Sequence, residues 1–404
     1  MTCRRPIWVL EIVLVLLAGA ACSREQVPAA DDGNVTISFR VGDADTKAVS
    51  PGDGNVADGG GIYCTKEAGP PVVFTPDLYI FICDWETGAV VKRYPGDADD
   101  DGDEDGTVNS VDSDWSEGNK STFLSVSFTF DGEGTYAVYA LANVGGTGSN
   151  LSIPSVASVT NASQLDALVL ELSAAALTLD PAAAPVVGSR MPLSAKGSLN
   201  VVKGLNEGKY NGYVELQLLR CFNKVQFSFK NLTGSELNLY NCQITFKDMN
   251  VQQGWLFPVS PDFVKLEDAN DDGKDDNYRD YTSATANVTG IADQDEKSFF
   301  DNPVLFLPSV APEQTKPSKG KRYLCDISFR IQKDGKTYNS GDATTYDTKS
   351  FTNLPIHTPK SLDITTLGRN QYLQIITTVS KGLNVSFNFK VNEWVEHKEY
   401  VTFD

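Results

Sequence analysis

Apolar and polar residues alternate with a period of two along most of this chain. Val35, Ile37, Phe39 and Val41 are apolar, and Thr36, Ser38 and Arg40 between them are polar. Side chains of an extended strand point to opposite faces in turn, so this spacing predicts a half-buried strand. The signature recurs at 123–130, 136–142, 214–219, 225–229, 243–246, 323–331, 372–379 and 383–391. Residues 78–83 are almost wholly apolar, which predicts a strand buried on both faces. Gly, Asn and Asp cluster between these runs, where turns need them. One stretch departs from the rule. Residues 162–179 are rich in Ala and Leu and predict a short helix, which Pro181 and Pro185 end. The return to strands near residue 200 marks a candidate boundary. The expected fold is therefore all-β, two β-sandwiches in series over 48–195 and 196–404, with a short helical segment before the boundary.

The amino terminus reads as an export signal. Arg4 and Arg5 precede the apolar run Ile12-Val-Leu-Val-Leu-Leu-Ala-Gly-Ala. A stable membrane span needs about 20 apolar residues, so residues 1–21 fit a cleaved signal peptide instead. Cys22 follows small residues, where a lipoprotein signal peptidase would leave its acylated cysteine. Cleavage by the ordinary signal peptidase after Ala20 is the alternative, and both routes export the chain. Export permits disulfides. Beyond Cys3 and Cys22, five cysteines remain, with no CxxC spacing. Cys64–Cys83 and Cys221–Cys242 are close enough to pair, or these residues are small buried hydrophobes.

Hydrophobic residues at 41% and aromatics at 10% suffice for real cores, which excludes long-range disorder. Charge changes the picture more. There are 53 acidic against 34 basic residues, a net charge of −19, so binding to nucleic acid is disfavoured. Two loops concentrate the acid. Asp97, Asp99, Asp101 and Asp105 fit DxDxDGxxD, and Asp268, Asn270, Asp272 and Asp276 fit DxNxDGxxD. Alternate carboxylates at this spacing converge on one hard cation, which makes calcium the candidate ligand, though no cofactor is required. Neither loop is an EF-hand, because Val108 and Arg279 stand where its closing Glu belongs. Catalytic signatures are lacking: there are two histidines, no GxSxG, and Gly335-Lys336-Thr337 has Arg330 where a phosphate loop begins with Gly. A non-enzyme is expected.

Several short segments then fall into a familiar order. They are Asp45-Thr-Lys-Ala48 after the first strand, Tyr136-Ala-Val-Tyr-Ala-Leu-Ala-Asn143, Met191-Pro-Leu-Ser194 and Leu219-Arg-Cys-Phe-Asn-Lys-Val225. Phe306-Leu-Pro-Ser309, Gly368-Arg-Asn-Gln-Tyr372 and Val391-Asn-Glu-Trp394 complete the series. Together they resemble the major-subunit fimbrillins, or type V pilins. The resemblance implies transthyretin-like sandwiches and an outer-membrane lipoprotein precursor whose first strand a trypsin-like protease removes. A strand from another subunit then fills the gap by β-augmentation, and the product is a cell-surface fimbria that supports adhesion. Here the leaving strand would be Val35, Ile37, Phe39 and Val41, within a lipidated segment spanning 22–47. The cut would fall between Lys47 and Ala48, with Arg40 as the alternative. The donor would be Leu383, Val385, Phe387, Phe389 and Val391, or the short run holding Tyr400, Val401 and Phe403. Partners would be copies of the chain and other fimbrial subunits. The competing expectations are a minor or tip subunit and a glycan-binding surface lipoprotein, with Trp85, Trp115, Trp255 and Trp394 as sugar-stacking candidates.

Overall fold

A computed structural model of the chain describes residues 34–41, 62–67, 73–95, 107–111, 120–121, 123–144, 158–171, 192–259, 262–264, 277–300, 304–312, 320–357 and 363–393. Its first unit is built on one eight-stranded sheet. In chain order the strands are β1 (Val35–Val41), β2 (Leu78–Asp84), β3 (Val90–Tyr94), β4 (Thr107–Val111), β5 (Phe123–Phe128), β6 (Gly134–Ala142), β7 (Leu193–Lys203) and β8 (Tyr210–Arg220). Across the sheet they lie β3-β2-β6-β7-β8-β1-β5-β4. Inward residues from distant strands, such as Ile80 and Ile82 of β2 and Val126 and Phe128 of β5, share one core with β1, so the sheet curls on itself. Gly197 leaves room for Leu216 inside the curl, since a Cβ there would stand 2.4 Å from Leu216 Cδ2.

The second unit is a two-sheet sandwich. Its strands are β9 (Asn223–Leu232), β10 (Leu237–Val251), β11 (Tyr278–Thr282), β12 (Ala286–Ile291), β13 (Glu296–Ser298), β14 (Val304–Phe306), β15 (Leu324–Gln332), β16 (Tyr346–Pro355), β17 (Gln371–Ser380) and β18 (Asn384–Glu393). One sheet runs β13-β9-β17-β18 with β14 also on β9, and the other β11-β10-β15-β16 with β12 also on β10. Phe227, Phe229, Phe299 and Phe329 meet edge-to-face between them, as aromatic quadrupoles favour.

The structure gives detail to three expectations. The short helix expected within 162–179 is α1 (Ala162–Asp166), capped by Asn161, whose side chain accepts from the Ser163 N–H while Gln164 accepts from the Asn161 N–H. It stops because Val169–Glu171 pairs with the strand Gln253–Val259, and that ladder outweighs helix propensity. A boundary at 195/196 would cut β7, which pairs with both β6 and β8. The cores instead change over between Leu218 and Val225. Finally, Cys221 and Cys242 are not bridged. Both are buried free thiols, as are Cys83 and Cys325.

Burial pushes Cys83 up to about 11 and Cys242 and Cys325 up to about 12, and it raises Cys221 as well. These four should resist alkylation at pH 8 in the native protein and react on unfolding, as peptide mapping would show. The same burial raises Tyr281 to about 12. Each of these groups keeps its proton in the fold above the pH at which the unfolded chain loses it. Their stabilisation is complete below about pH 9 and declines as pH rises toward 12, which a melting series would record.

A third cluster joins the units. Phe81, Tyr139 and Leu141 on the outer face of β2 and β6 pack with Phe222, Leu256 and Phe257. This explains why 78–83 is apolar at nearly every position: β2 buries Ile80 and Ile82 on one side and Phe81 and Cys83 on the other. Polar groups knit the same seam. Arg369 Nη1 donates to Ser194 Oγ and, at 3.1 Å, to Leu256 O, and its Nη2 donates to Ser194 O at 3.3 Å. Arg220 Nη1 donates to Asn370 Oδ1 at 2.8 Å, and the Asn370 N–H donates to Phe222 O at 2.9 Å. Desolvation pulls Arg369 below the usual arginine range.

Candidate functional site

The most amino-terminal described strand does not sit at an edge. β1 lies inside the sheet, parallel to β8 in the register Val35↔Gly212 through Val41↔Leu218, and antiparallel to β5 from Val35↔Phe128 to Arg40↔Phe123. Val35, Ile37 and Phe39 are completely buried in the core that β5 and β8 share. The alternation read from the sequence is realised over the described side chains: Val35, Ile37 and Phe39 point inward, and Thr36, Ser38 and Arg40 line the other face. There Thr36 and Ser127 hydroxyls stand 3.1 Å apart, and Arg40 Nε lies 2.6 Å from Glu215 Oε1 with its guanidinium over the Phe123 ring. Tyr213 donates to Glu215 Oε2 at 3.2 Å, and its hydroxyl pKa is raised, chiefly by burial.

Gly212 shapes the end of the slot. A Cβ there would lie 2.9 Å from the Asn200 carbonyl oxygen and 3.2 Å from Val35 Cγ1. The backbone is the nearer obstacle and cannot swing aside, so only glycine lets Val35 seat against β8. The sequence offered no sign of this, nor of Phe123, Tyr213 and Glu215 as walls, because they belong to β1 only through pairings distant along the chain.

Lifting β1 out would divide the sheet into β3-β2-β6-β7-β8 and β5-β4, with an apolar slot and two rows of main-chain donors and acceptors between them. Such a slot is chemically specific: it takes an extended segment with apolar side chains at alternate positions. Among the described residues there is no group of three or more His, Cys, Asp and Glu able to hold a metal. His357 contacts the Phe389 ring at 5.3 Å.

Arg40, the alternative cleavage point, is held in the β1 ladder between Gln217 and Phe123. Lys47, Ala48 and Cys22 lie outside the described residues, as do Asp97, Asp99, Asp101, Asp105, Asp268, Asn270, Asp272 and Asp276. Tyr400, Val401 and Phe403 also lie outside them. The other donor candidate forms β18, the end strand of its sheet, paired with β17 through ten positions from Gln371↔Glu393 to Ser380↔Asn384. Phe389 is buried, and Leu383, Val385, Phe387 and Val391 are half-buried against the second core. Of the sugar-stacking candidates, Trp85 is exposed and Trp255 half-buried, and Trp115 and Trp394 lie outside the described residues. Among the described residues no helix is long and apolar enough to cross a membrane.

No protein-family model matches the chain, and no curated protein is recognisably similar to it in sequence. Its structural neighbours are fimbrial and adhesion proteins of low sequence identity. A fimbrilin from Porphyromonas gingivalis W83 superposes with a TM-score of 0.47 at 10% identity, covering 91% of this chain and 99% of that one. The tip fimbrial protein Mfa3 from Porphyromonas gingivalis gives 0.44 at 12% identity, covering 89% and 100%. A fimbrial assembly protein from Parabacteroides distasonis ATCC 8503 gives 0.39 at 10%, covering 89% and 97%.

Proposed function

We propose that this chain is a structural subunit of a surface fimbria, exported as a lipoprotein acylated at Cys22 and polymerised by protease-triggered strand exchange. The observation that carries the reading is the place of β1: a strand near the amino terminus, with Val35, Ile37 and Phe39 fully buried, and bonded on both edges to strands far along the chain. Cutting between Lys47 and Ala48 severs β1 from the rest of the molecule while leaving every other described strand in one covalent piece. The vacated slot then demands a replacement of equal parity, and a neighbouring subunit supplies it. Lys47 is the preferred cut because Arg40 is fixed in a ladder, and proteases need an extended, unpaired substrate.

Of the two donor segments, the run holding Tyr400, Val401 and Phe403 is the more economical. Donating β18 means giving up its ladder to β17 and its half-buried Val385, Phe387 and Val391. The eleven residues after Glu393 reach about 36 Å when extended, and a seven-residue strand needs about 23 Å. A glycan-binding role is less well supported, since sugar platforms need exposed rings and Trp85 is the one exposed tryptophan among the described residues.

Mild trypsin treatment followed by electron microscopy and amino-terminal sequencing tests the reading. Filaments whose subunits begin at Ala48 are expected. Filaments whose subunits still begin at Cys22 would refute processing as the trigger.

A further inference from the structure

The exposed large apolar side chains are unevenly placed. Among the described residues there are five: Leu205 at 95% exposure, Trp85 at 60%, Val202 at 55%, and Tyr213 and Val91 at 38% each. All belong to the first unit, and all gather toward one end of its sheet. Leu205 tips the β7–β8 hairpin, whose last rungs are Val202↔Asn211 and Lys203↔Tyr210. Trp85 sits in the β2–β3 turn, its N–H donating to Thr135 O, and Thr135 pairs with Asn200 beside that hairpin. Tyr213 pairs with Thr36 one position into β1. The junction with the second unit lies at the opposite end of β7, about 33 Å away at the usual strand rise.

Isolated surface hydrophobes need no explanation, but a cluster confined to one end does. We infer that this pole is the seat of a second copy of the chain, the copy whose strand occupies the slot of β1. The inference rests on the strand-exchange reading and adds where the donor's body must sit. A donor that reproduces β1's bonds runs parallel to β8, so its upstream end, the end tethered to its own subunit, lies where Val35 now meets Gly212 and Phe128. That is the same pole. The donor's body is delivered directly onto Leu205, Trp85 and Val202, and their burial adds a rigid apolar contact to a joint otherwise made by one strand. An apolar contact of this kind keeps consecutive subunits in a fixed orientation, which a lone strand does not.

The test is a Trp85→Ser, Leu205→Asp double variant of the full chain beside the wild type. Both side chains are exposed, so the two proteins should melt together. After trypsin, each is measured for capture of a fluorescent peptide of residues 394–404 or 384–393, and for polymer growth by sedimentation. Peptide capture at the wild-type level with polymer growth reduced at least tenfold is the expected result. Polymer growth at the wild-type rate would overturn the pole while sparing strand exchange. Failure of the wild type both to capture peptide and to polymerise would sink strand exchange, and the pole with it.

Discussion

A variant lacking residues 34–41 should lose the cooperative fold of the first unit and regain it when a peptide of sequence Val35–Val41 is added in excess. Val35, Ile37 and Phe39 are fully buried, and burial of such side chains contributes about 1.5–3 kcal/mol each. Together they supply about 5–9 kcal/mol, comparable to the whole stability of a typical domain, about 5–15 kcal/mol. The loss is compounded because β5 and β8 would each expose a row of hydrogen-bonding groups, and a facing pair of bare edges invites aggregation. By comparison, Phe39→Ala alone should cost about 3–5 kcal/mol and leave the sheet continuous. Circular dichroism melts with and without the peptide decide the matter. A cooperative melt within a few degrees of wild type in the peptide's absence would show that the slot closes by itself, and it would remove the physical basis for strand exchange.

The second large effect is expected at the seam. Arg369→Ala should cost about 3 kcal/mol in urea denaturation, because it removes the guanidinium bonds to Ser194 O and Leu256 O, leaving Leu256 O with the Ser194 hydroxyl alone, and opens a void beside Cys221. Arg369→Met restores the volume without the bonds and should fall between the two. The direct consequence is mechanical. With Arg369 in place the units share both an apolar cluster and a polar clamp, so they should unfold in one transition, and the alanine variant should separate into two. A loss below about 1 kcal/mol with a single transition retained would mean that Phe81, Tyr139 and Phe257 hold the seam without help. Under the assembly proposed above, tension would pass from one unit to the other across this seam, and the clamp would determine how much load the chain transmits before it opens.

In the sequence, residues 219–225 and 368–372 are only short segments in a familiar order. Folding gives them a physical role, since Arg220, Phe222, Arg369 and Asn370 supply the polar half of the seam through side chains and main chain. Nothing in a single chain of letters marks a surface-type residue as a clamp, because the partners, Ser194 and Leu256, lie 175 and 113 residues away. The end of α1 at Asp166 has a similar cause. Residues 167–171 could extend a helix locally, and the rung Val169↔Trp255 prevails through contacts made from far downstream. The candidate boundary at 195/196 was read from the change from helix to strand, which marks where local propensity shifts, whereas the change of core marks where burial shifts.

Strand identity was determined by the sequence itself. Period-two alternation is a local property, set by the geometry of an extended backbone whose side chains must divide between core and water, so β1, β6, β15 and β17 could be read from their own residues. The parity of β1 was legible for the same reason, and with it which of its side chains would be buried. What only the tertiary structure decided was the neighbour of each strand. Hydrogen-bonding edges are alike in every strand and carry no address, so the parallel match of β1 with residues 212–218, the central place this gives it, and the need for glycine at 212 emerge only once the whole sheet has closed around its core.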